Sequence, residues 1–141
     1  MITWLTGNTG AGKTAMAKKL LARNEFMIHL DGDEMRVAIN RGLTLTAQDR
    51  RENCLNIARL AKLLDKQGFD VVVSVIAPYR DLRADIQTLT DCEFWYLPDG
   101  AQPSLATPYE IPTRDEACWL PSWVDENYPF DYRPSLWNNT P

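Results

Sequence analysis

The amino-acid sequence predicts an α/β fold of three layers with a mostly parallel sheet. Short β-prone runs alternate with longer helical patterns through the first 97 of the 141 residues. The run Val71–Ala77 is almost entirely apolar, which is typical of a parallel strand covered on both faces. A glycine-rich turn, Gly7–Gly12, joins the first predicted strand to the first predicted helix. These three observations favour a sheet with helices on both faces.

Strands and helices are expected in strict alternation. The predicted strands are Ile2–Thr6, Phe26–Leu30, Val71–Ala77 and Cys92–Leu97. The first helix is expected to begin at Lys13, a long one to follow the N-cap sequence Thr46–Asp49 and end before Gly68, and a shorter one to cover Asp81–Leu89. Connections of this kind are right-handed crossovers between parallel strands.

One domain is expected for the whole chain, 1–141, with its core and all its motifs in residues 1–97. The remaining segment, 98–141, is rich in proline and tryptophan: eight of the nine prolines lie from Pro98 onward, together with Trp119, Trp123 and Trp137. So many aromatic residues are not typical of a disordered tail. We therefore predict an irregular C-terminal wrap that buries its tryptophans against the sheet.

The charge is unevenly distributed along the chain. The net charge is −4, yet residues 1–90 carry 13 Lys or Arg against 10 Asp or Glu, whereas residues 91–141 carry 2 against 9. The positive excess lies in the half with the glycine-rich turn, as expected where anions bind. The acidic remainder argues against a broad nucleic-acid-binding face, though not against a local one.

Composition also bears on the compartment. No apolar run reaches the length of a membrane span, and the N-terminus lacks the pattern of a signal peptide, so no membrane association is expected. The three cysteines are widely spaced, which favours reduced thiols over disulfides or a zinc site. A cytoplasmic protein is therefore expected. The oligomeric state stays open, a homodimer included.

The glycine-rich turn fits the full phosphate-loop pattern G-x-x-x-x-G-K-[ST]. In such a loop backbone N–H groups surround the phosphates, the lysine reaches the β- and γ-phosphates, and the hydroxyl binds Mg²⁺. Lys13 and Thr14 have these positions. The pattern predicts a site for ATP with Mg²⁺ made of Gly7, Asn8, Thr9, Gly10, Ala11, Gly12, Lys13 and Thr14.

Two carboxylates, Asp31 and Asp33, follow the second predicted strand. In open α/β sheets ligands bind at this carboxyl edge. One carboxylate could hold the metal or its water, with Asp31 as the candidate ligand, while the other accepts the proton of an acceptor hydroxyl. An Asx-type turn is the alternative, but the adjacent phosphate loop favours the functional interpretation. Asp33, Asp31 and Lys13 are therefore the catalytic candidates, and which aspartate is the base stays open.

Several basic and polar residues are expected near the same edge. Arg36 comes one turn after the aspartates, Arg50 and Asn53 share a helix face, and Arg80 follows the buried strand. Solvent-exposed helix charges are the ordinary alternative for such residues.

Four motifs together resemble the adenylylsulfate (APS) kinases. They are Gly7–Thr14, Leu30–Arg36, Asp49–Asn53 and Ile76–Arg80, in the family's order and spacing over roughly residues 1–90, and the fragment Thr107–Pro112 resembles a later signature. The resemblance implies ATP and Mg²⁺ at the phosphate loop and the aspartates at the acceptor hydroxyl. It also implies an acceptor nucleotide held by Arg36, Arg50 and Asn53. Ile76 and Arg80 are further candidates for substrate binding.

The chain departs from that family at three places. Leu45 stands where the family has a Phe that stacks on adenine, and Ala77 replaces a serine. Where the family has a lid rich in Lys and Arg, residues 98–107 contain neither. Loss of stacking forfeits about 1–3 kcal/mol per base. Loss of the lid also removes cations from the transferring phosphate and leaves the site open.

An open site is similar to that of lid-poor bacteriophage kinases that phosphorylate 5-hydroxymethyluracil in DNA. This resemblance makes modified DNA the leading expected acceptor, with the host cytoplasm as the location if the chain is phage-encoded. An APS kinase with a shortened lid is the alternative. A nucleotide-binding switch or assembly protein is an alternative of another class, against which the retained acceptor-side residues speak.

Overall fold

The computed structural model describes residues 1–120. The strands are β1 (Ile2–Thr6), β2 (Met27–Asp31), β3 (Asp70–Ser74), β4 (Glu93–Tyr96) and β5 (Cys118–Trp119). The helices are α1 (Lys13–Ala22), α2 (Gly32–Ala38), α3 (Ala47–Lys66) and α4 (Arg80–Thr90).

The five strands form one sheet in the order β2-β3-β1-β4-β5, and all neighbouring pairs are parallel. Alternate residues of β3 point to opposite faces. Val71 and Val73 pack in the apolar layer under α3 and α4, whereas Val72 packs in the layer under α1. Helices thus cover both faces, which confirms the predicted three-layer α/β class.

Strand β3 ends earlier than its apolar run predicts, at Ser74 instead of Ala77. Side chains of β1 donate hydrogen bonds to two of the carbonyl groups that follow. Trp4 Nε1 donates to the Val75 carbonyl at 3.0 Å, and the Thr6 hydroxyl donates to the Ile76 carbonyl. Ala77 then adopts a left-handed backbone conformation with φ of 48°. Because these bonds replace the ladder, the apolar run bends into the cleft described below.

Helix α2 was not predicted as a separate element. It begins directly after Asp31, whose carboxylate caps it by accepting a hydrogen bond from the Glu34 amide. The predicted cap of α3 is present, since the Thr46 hydroxyl accepts from the Asp49 amide at 3.2 Å. The Asp49 carboxylate does not complete the reciprocal box; it accepts from the amide and hydroxyl of Thr44 instead.

Between Pro98 and Leu120 the element β5 was not predicted, and it extends the sheet beside β4. Arg83 of α4 fastens this segment. Its buried guanidinium donates to the Glu110 carbonyl and to the Glu116 carboxylate, and it lies over the Tyr109 ring. Trp119 is half-buried. Trp123 and Trp137 lie outside the described residues, so the wrap beyond Leu120 stays a prediction.

Within residues 1–120, no helix combines the length and apolarity that crossing a bilayer requires.

Candidate active site

The phosphate loop connects β1 to α1 in a conformation that depends on glycine. Gly10 and Gly12 have φ angles of 81° and 94°, in the region that side chains disfavour. Gly12 is also the N-cap of α1 and provides no capping side chain. The amides at the start of α1 therefore remain for an anion, which the helix dipole favours.

Lys13 lies folded back on the loop. Its Nζ donates to the carbonyl groups of Gly7 at 2.8 Å and Asn8 at 3.2 Å. Burial lowers the pKa of Lys13 to about 8, and the nearby charges of Asp31 and Asp33 only partly offset that effect. A bound phosphate would give this ammonium a negatively charged hydrogen-bond partner.

Asp31 is the centre of a hydrogen-bond network at the carboxyl edge of β2. Its Oδ1 accepts from Thr14 Oγ1 at 3.0 Å and from Ser74 Oγ at 2.8 Å, while its Oδ2 accepts from the Glu34 amide. Burial raises the pKa of Asp31, but these hydrogen bonds outweigh it and hold the pKa below its ordinary value. The carboxylate is therefore ionised at neutral pH.

Thr14 and Asp31 fit a magnesium site. They bring two oxygen atoms within 3.0 Å of each other beside the phosphate loop, and oxygen is the ligand that Mg²⁺ prefers. Residues 1–120 contain no cluster of three or more His, Cys, Asp or Glu that could hold a metal. In nucleotide sites Mg²⁺ is usually bound through one or two protein oxygens together with substrate phosphates.

A cleft of about 350 Å³ opens in front of this network. Arg36 and Arg50 lie along it: Arg36 donates to the Leu43 and Thr44 carbonyl groups at 3.5 and 3.4 Å, and the Arg50 Nε donates to that of Leu45 at 2.6 Å. One wall thus presents two guanidinium groups whose positions are fixed by backbone carbonyls.

Most residues predicted for the site line this one cleft. On the nucleotide side they are Thr9, Gly10, Gly12, Lys13, Thr14 and Asp31; on the acceptor side they are Asp33, Arg36, Arg50, Asn53 and Ile76. Asn53 is buried, and its side-chain oxygen accepts from Asn40 at 2.7 Å. Leu45, at the position where the resemblance implies a stacking ring, also lines the cleft and is 65% exposed.

Three residues of the predicted loop lie behind the cleft. Gly7 is packed so closely that a Cβ there would come within 2.7 Å of the Leu97 carbonyl oxygen. The buried side chain of Asn8 donates to the carbonyl groups of Ala101 and Thr107, which ties the segment 98–107 to the loop. Ala11 packs against the apolar layer under α1. These residues shape the loop from behind.

The predicted position of Arg80 requires a correction. Its guanidinium donates to the Ile111 carbonyl at 2.7 Å and lines a different depression, shared with Arg51, Tyr79 and Glu110. Arg80 is the first residue of α4, and its backbone amide donates to the Glu110 carboxylate at 2.9 Å, so the segment Glu110–Ile111 binds both its backbone and its guanidinium. In this conformation Arg80 does not line the cleft.

Sequence reasoning missed Ser74 and assigned no role to His29. The register pairs Asp31 with Ser74, so both side chains meet at the end of β2 and β3. His29 Nε2 lies 2.6 Å from Ser74 Oγ. Burial lowers the pKa of His29, and Asp31 and Glu34 partly offset that effect. Only the order of the strands, which local patterns do not contain, brings these residues together. The cleft is also lined by Ala15, Gly32, Cys54, Val75, Ala77 and Pro78.

Comparisons with known proteins agree with the resemblance seen in the motifs. Residues 1–97 match the family described as adenylylsulphate kinase. The chain is 42% identical over 93 residues to an adenylyl-sulfate kinase of Myxococcus xanthus, covering 64% of this chain and 50% of that protein. It also resembles the structure of the Mycobacterium tuberculosis APS kinase in complex with AMPPNP and APS, with a TM-score of 0.64, 26% identity and coverage of 74% and 63% of the two chains.

A sugar kinase from Janibacter shares the fold over nearly the whole chain. The TM-score is 0.71 at 18% identity, and the match covers 98% of this chain and 94% of the other. At that identity the likeness concerns architecture alone. The chain spans about half the length of the curated relatives it matches, with 50% of the Myxococcus xanthus protein covered. The expected likeness to bacteriophage DNA kinases is not among these findings and stays a prediction.

Proposed function

The chain belongs to the adenylylsulphate kinase family, and from that premise we propose that it transfers the γ-phosphoryl group of Mg²⁺-bound ATP to the hydroxyl group of adenylyl sulfate. One observation carries the proposal: a single cleft is lined both by the phosphate loop with Lys13 and Thr14 and by the acceptor-side residues Arg36, Arg50 and Asn53. Nucleotide and acceptor would therefore meet in one space, as in-line phosphoryl transfer requires.

On the nucleotide side, Lys13 would exchange its contacts with the loop carbonyls for the β- and γ-phosphates. That exchange would surround the ammonium with phosphate charges, which favour its protonated form, and would place it where negative charge develops. Thr14 and Asp31 would hold Mg²⁺, whose charge neutralises the phosphates when it is bound. The glycine loop and the start of α1 would bind the remaining phosphate oxygens through backbone N–H groups.

On the acceptor side, Asp33 is the better candidate for the general base. Asp31 is engaged by three donors and directed towards the metal site, whereas Asp33 stands exposed in the first turn of α2 and lines the cleft. Arg36 and Arg50 would face the anionic groups of the acceptor, because their guanidinium groups are already oriented by backbone carbonyls. Asn53, fixed by Asn40, would recognise a polar edge of the acceptor.

Specific observations also favour a second acceptor, 5-hydroxymethyluracil in DNA. Leu45 provides no aromatic ring to clamp a small nucleotide, and residues 98–107 carry no Lys or Arg to close over it. A flipped-out base would need only a local pocket, with the cost of unstacking recovered from backbone contacts. Arg36 and Arg50 line the cleft and could supply such contacts.

Radiolabel transfer separates the acceptors. The protein is incubated with Mg²⁺ and γ-labelled ATP, and adenylyl sulfate, 5-hydroxymethyluracil DNA, thymine DNA or the free modified nucleotide is offered in parallel. We expect label on adenylyl sulfate. Label on the modified DNA alone, decreasing with added salt as phosphate contacts are screened, would move the assignment to the second acceptor. ATP binding without transfer to any acceptor would favour a nucleotide-binding switch and contradict the kinase.

A further inference from the structure

His29 belongs to a chain of polar contacts that ends at the candidate metal ligand. Residues two apart on a strand face the same side of a sheet, so His29 and Asp31 of β2 share the face on which α1 lies. The register places Ser74 beside Asp31 on the same face. The distances are 2.6 Å from His29 Nε2 to Ser74 Oγ and 2.8 Å from there to Asp31 Oδ1.

The number of protons available to His29, Ser74 and Asp31 determines the direction of the hydrogen bonds between them. Ser74 has a single hydroxyl proton, and an ionised Asp31 can only accept, so the close contact between their oxygens requires that Ser74 donates to Asp31. The contact of 2.6 Å between Ser74 Oγ and His29 Nε2 then needs a proton on the ring nitrogen. His29 therefore donates through Nε2–H and accepts nothing from Ser74.

We propose that His29 is a positioning residue for magnesium binding, acting through Ser74 on the Asp31 carboxylate. By donating to Ser74 Oγ it fixes the hydroxyl with its proton towards Asp31, which in turn fixes the carboxylate that faces Thr14. Groups that orient a metal ligand in this way commonly change metal affinity by about 10–100-fold when removed. The inference rests on the proposed magnesium-nucleotide site.

Calorimetry with a non-hydrolysable ATP analogue, in Mg²⁺ and in EDTA, tests the inference. His29→Leu is expected to weaken binding in Mg²⁺ about tenfold and to leave binding in EDTA unchanged. His29→Gln, whose amide N–H can replace the ring donor, is expected to restore wild-type affinity. Met27→Leu, on the same face of the same strand, is the control and should bind as the wild type does.

A double-mutant cycle tests the route through Ser74. In a Ser74→Ala background, His29→Leu should cause no further loss of Mg²⁺-dependent affinity. Additive losses, or equal losses in Mg²⁺ and EDTA, would overturn the inference. If the wild-type protein binds the ATP analogue equally well in Mg²⁺ and in EDTA, the proposed function is rejected instead. The two failures are therefore distinguishable.

Nitrogen NMR of the imidazole ring gives a test without any substitution. His29 is the only histidine of the chain, so its ring signals need no assignment. The Nε2–H tautomer is expected, with a shift when Mg²⁺ and the analogue are added together. The Nδ1–H tautomer would mean that His29 accepts from Ser74, and it would refute the proposed direction of the chain.

Discussion

Replacing Lys13 by methionine is expected to stabilise the free protein while removing its nucleotide affinity. In the free protein the Lys13 ammonium is partly buried and donates to the carbonyl groups of Gly7 and Asn8, and it has no ion pair within residues 1–120. Methionine has similar length and needs no solvation, so it should occupy the same volume at lower cost. Interaction with a bound phosphate would offset the free-energy cost of burying the ammonium.

The magnitude follows from the pKa of Lys13. Its fall from 10.5 to about 8 corresponds to at most about 3.5 kcal/mol, at about 1.4 kcal/mol per pKa unit. Partial exposure of the side chain and the loss of two hydrogen bonds reduce this, which leaves a net stabilisation of about 1–2 kcal/mol. For a chain of this size the melting temperature would rise by on the order of 5 °C.

The pH dependence has a definite sign. Between pH 8 and 10.5 the unfolded chain keeps the Lys13 proton and the folded protein has lost it, so wild-type stability rises with pH through this window. The advantage of Lys13→Met should therefore be largest at pH 7 and shrink towards pH 10.5. The assay is thermal unfolding without nucleotide at both pH values.

Lys18→Met is the matched control, because Lys18 lies on the same helix but is exposed. It should change stability by less than about 0.5 kcal/mol. With Mg²⁺ and ATP added, the melting temperature of the wild type should rise and that of Lys13→Met should not. A Lys13→Met protein that is less stable than the wild type, or an advantage that is independent of pH, would refute the reasoning.

Three further substitutions test the contacts of Arg83, the role of Asp33 and the position of Leu45. Arg83→Met removes the ion-pair partner of Glu116 and should lower the free energy of unfolding, measured in urea, by about 3–5 kcal/mol. The control Arg51→Met removes a more exposed ion pair and should cost at most about 1 kcal/mol. Equal costs would contradict the role of Arg83 in holding the C-terminal segment. Asp33→Asn should lower kcat by on the order of 10²–10⁴ with little change in ATP affinity, and collapse of ATP affinity would make it a metal ligand. Leu45→Phe should lower the KM for adenylyl sulfate by roughly 5–150-fold through stacking worth about 1–3 kcal/mol. An unchanged KM would place the acceptor base elsewhere.

Local patterns predicted those parts of the fold that depend on neighbours in sequence. The phosphate loop, the start of α1 at Lys13 and the cap at Thr46 are each contained in a few consecutive residues, and the structure has all three. The end of β3 was predicted incorrectly because it depends on hydrogen bonds from Trp4 and Thr6, which lie some 70 residues earlier in the chain.

In the candidate site, too, some residues could be predicted from local sequence patterns and others depend on the tertiary structure. Its motif residues could be found from spacing, whereas Ser74 and His29 could be connected to Asp31 only through the order of the strands. Arg80 follows a strand and was expected at the edge where ligands bind, but contacts with Glu110 and Ile111, some 30 residues later in the chain, hold it in a different depression. Tertiary placement, which no local pattern encodes, decided each of these cases.

Phosphorus NMR tests most directly whether this cleft transfers a phosphoryl group. The protein is mixed with Mg²⁺ and ATP in the presence of adenylyl sulfate and, separately, of 5-hydroxymethyluracil DNA, with Lys13→Met as the inactive control. A new phosphomonoester signal is expected to grow in step with ADP in the adenylyl sulfate sample. ATP that stays intact in both samples, or that yields only inorganic phosphate, would contradict the assignment of the cleft to a kinase.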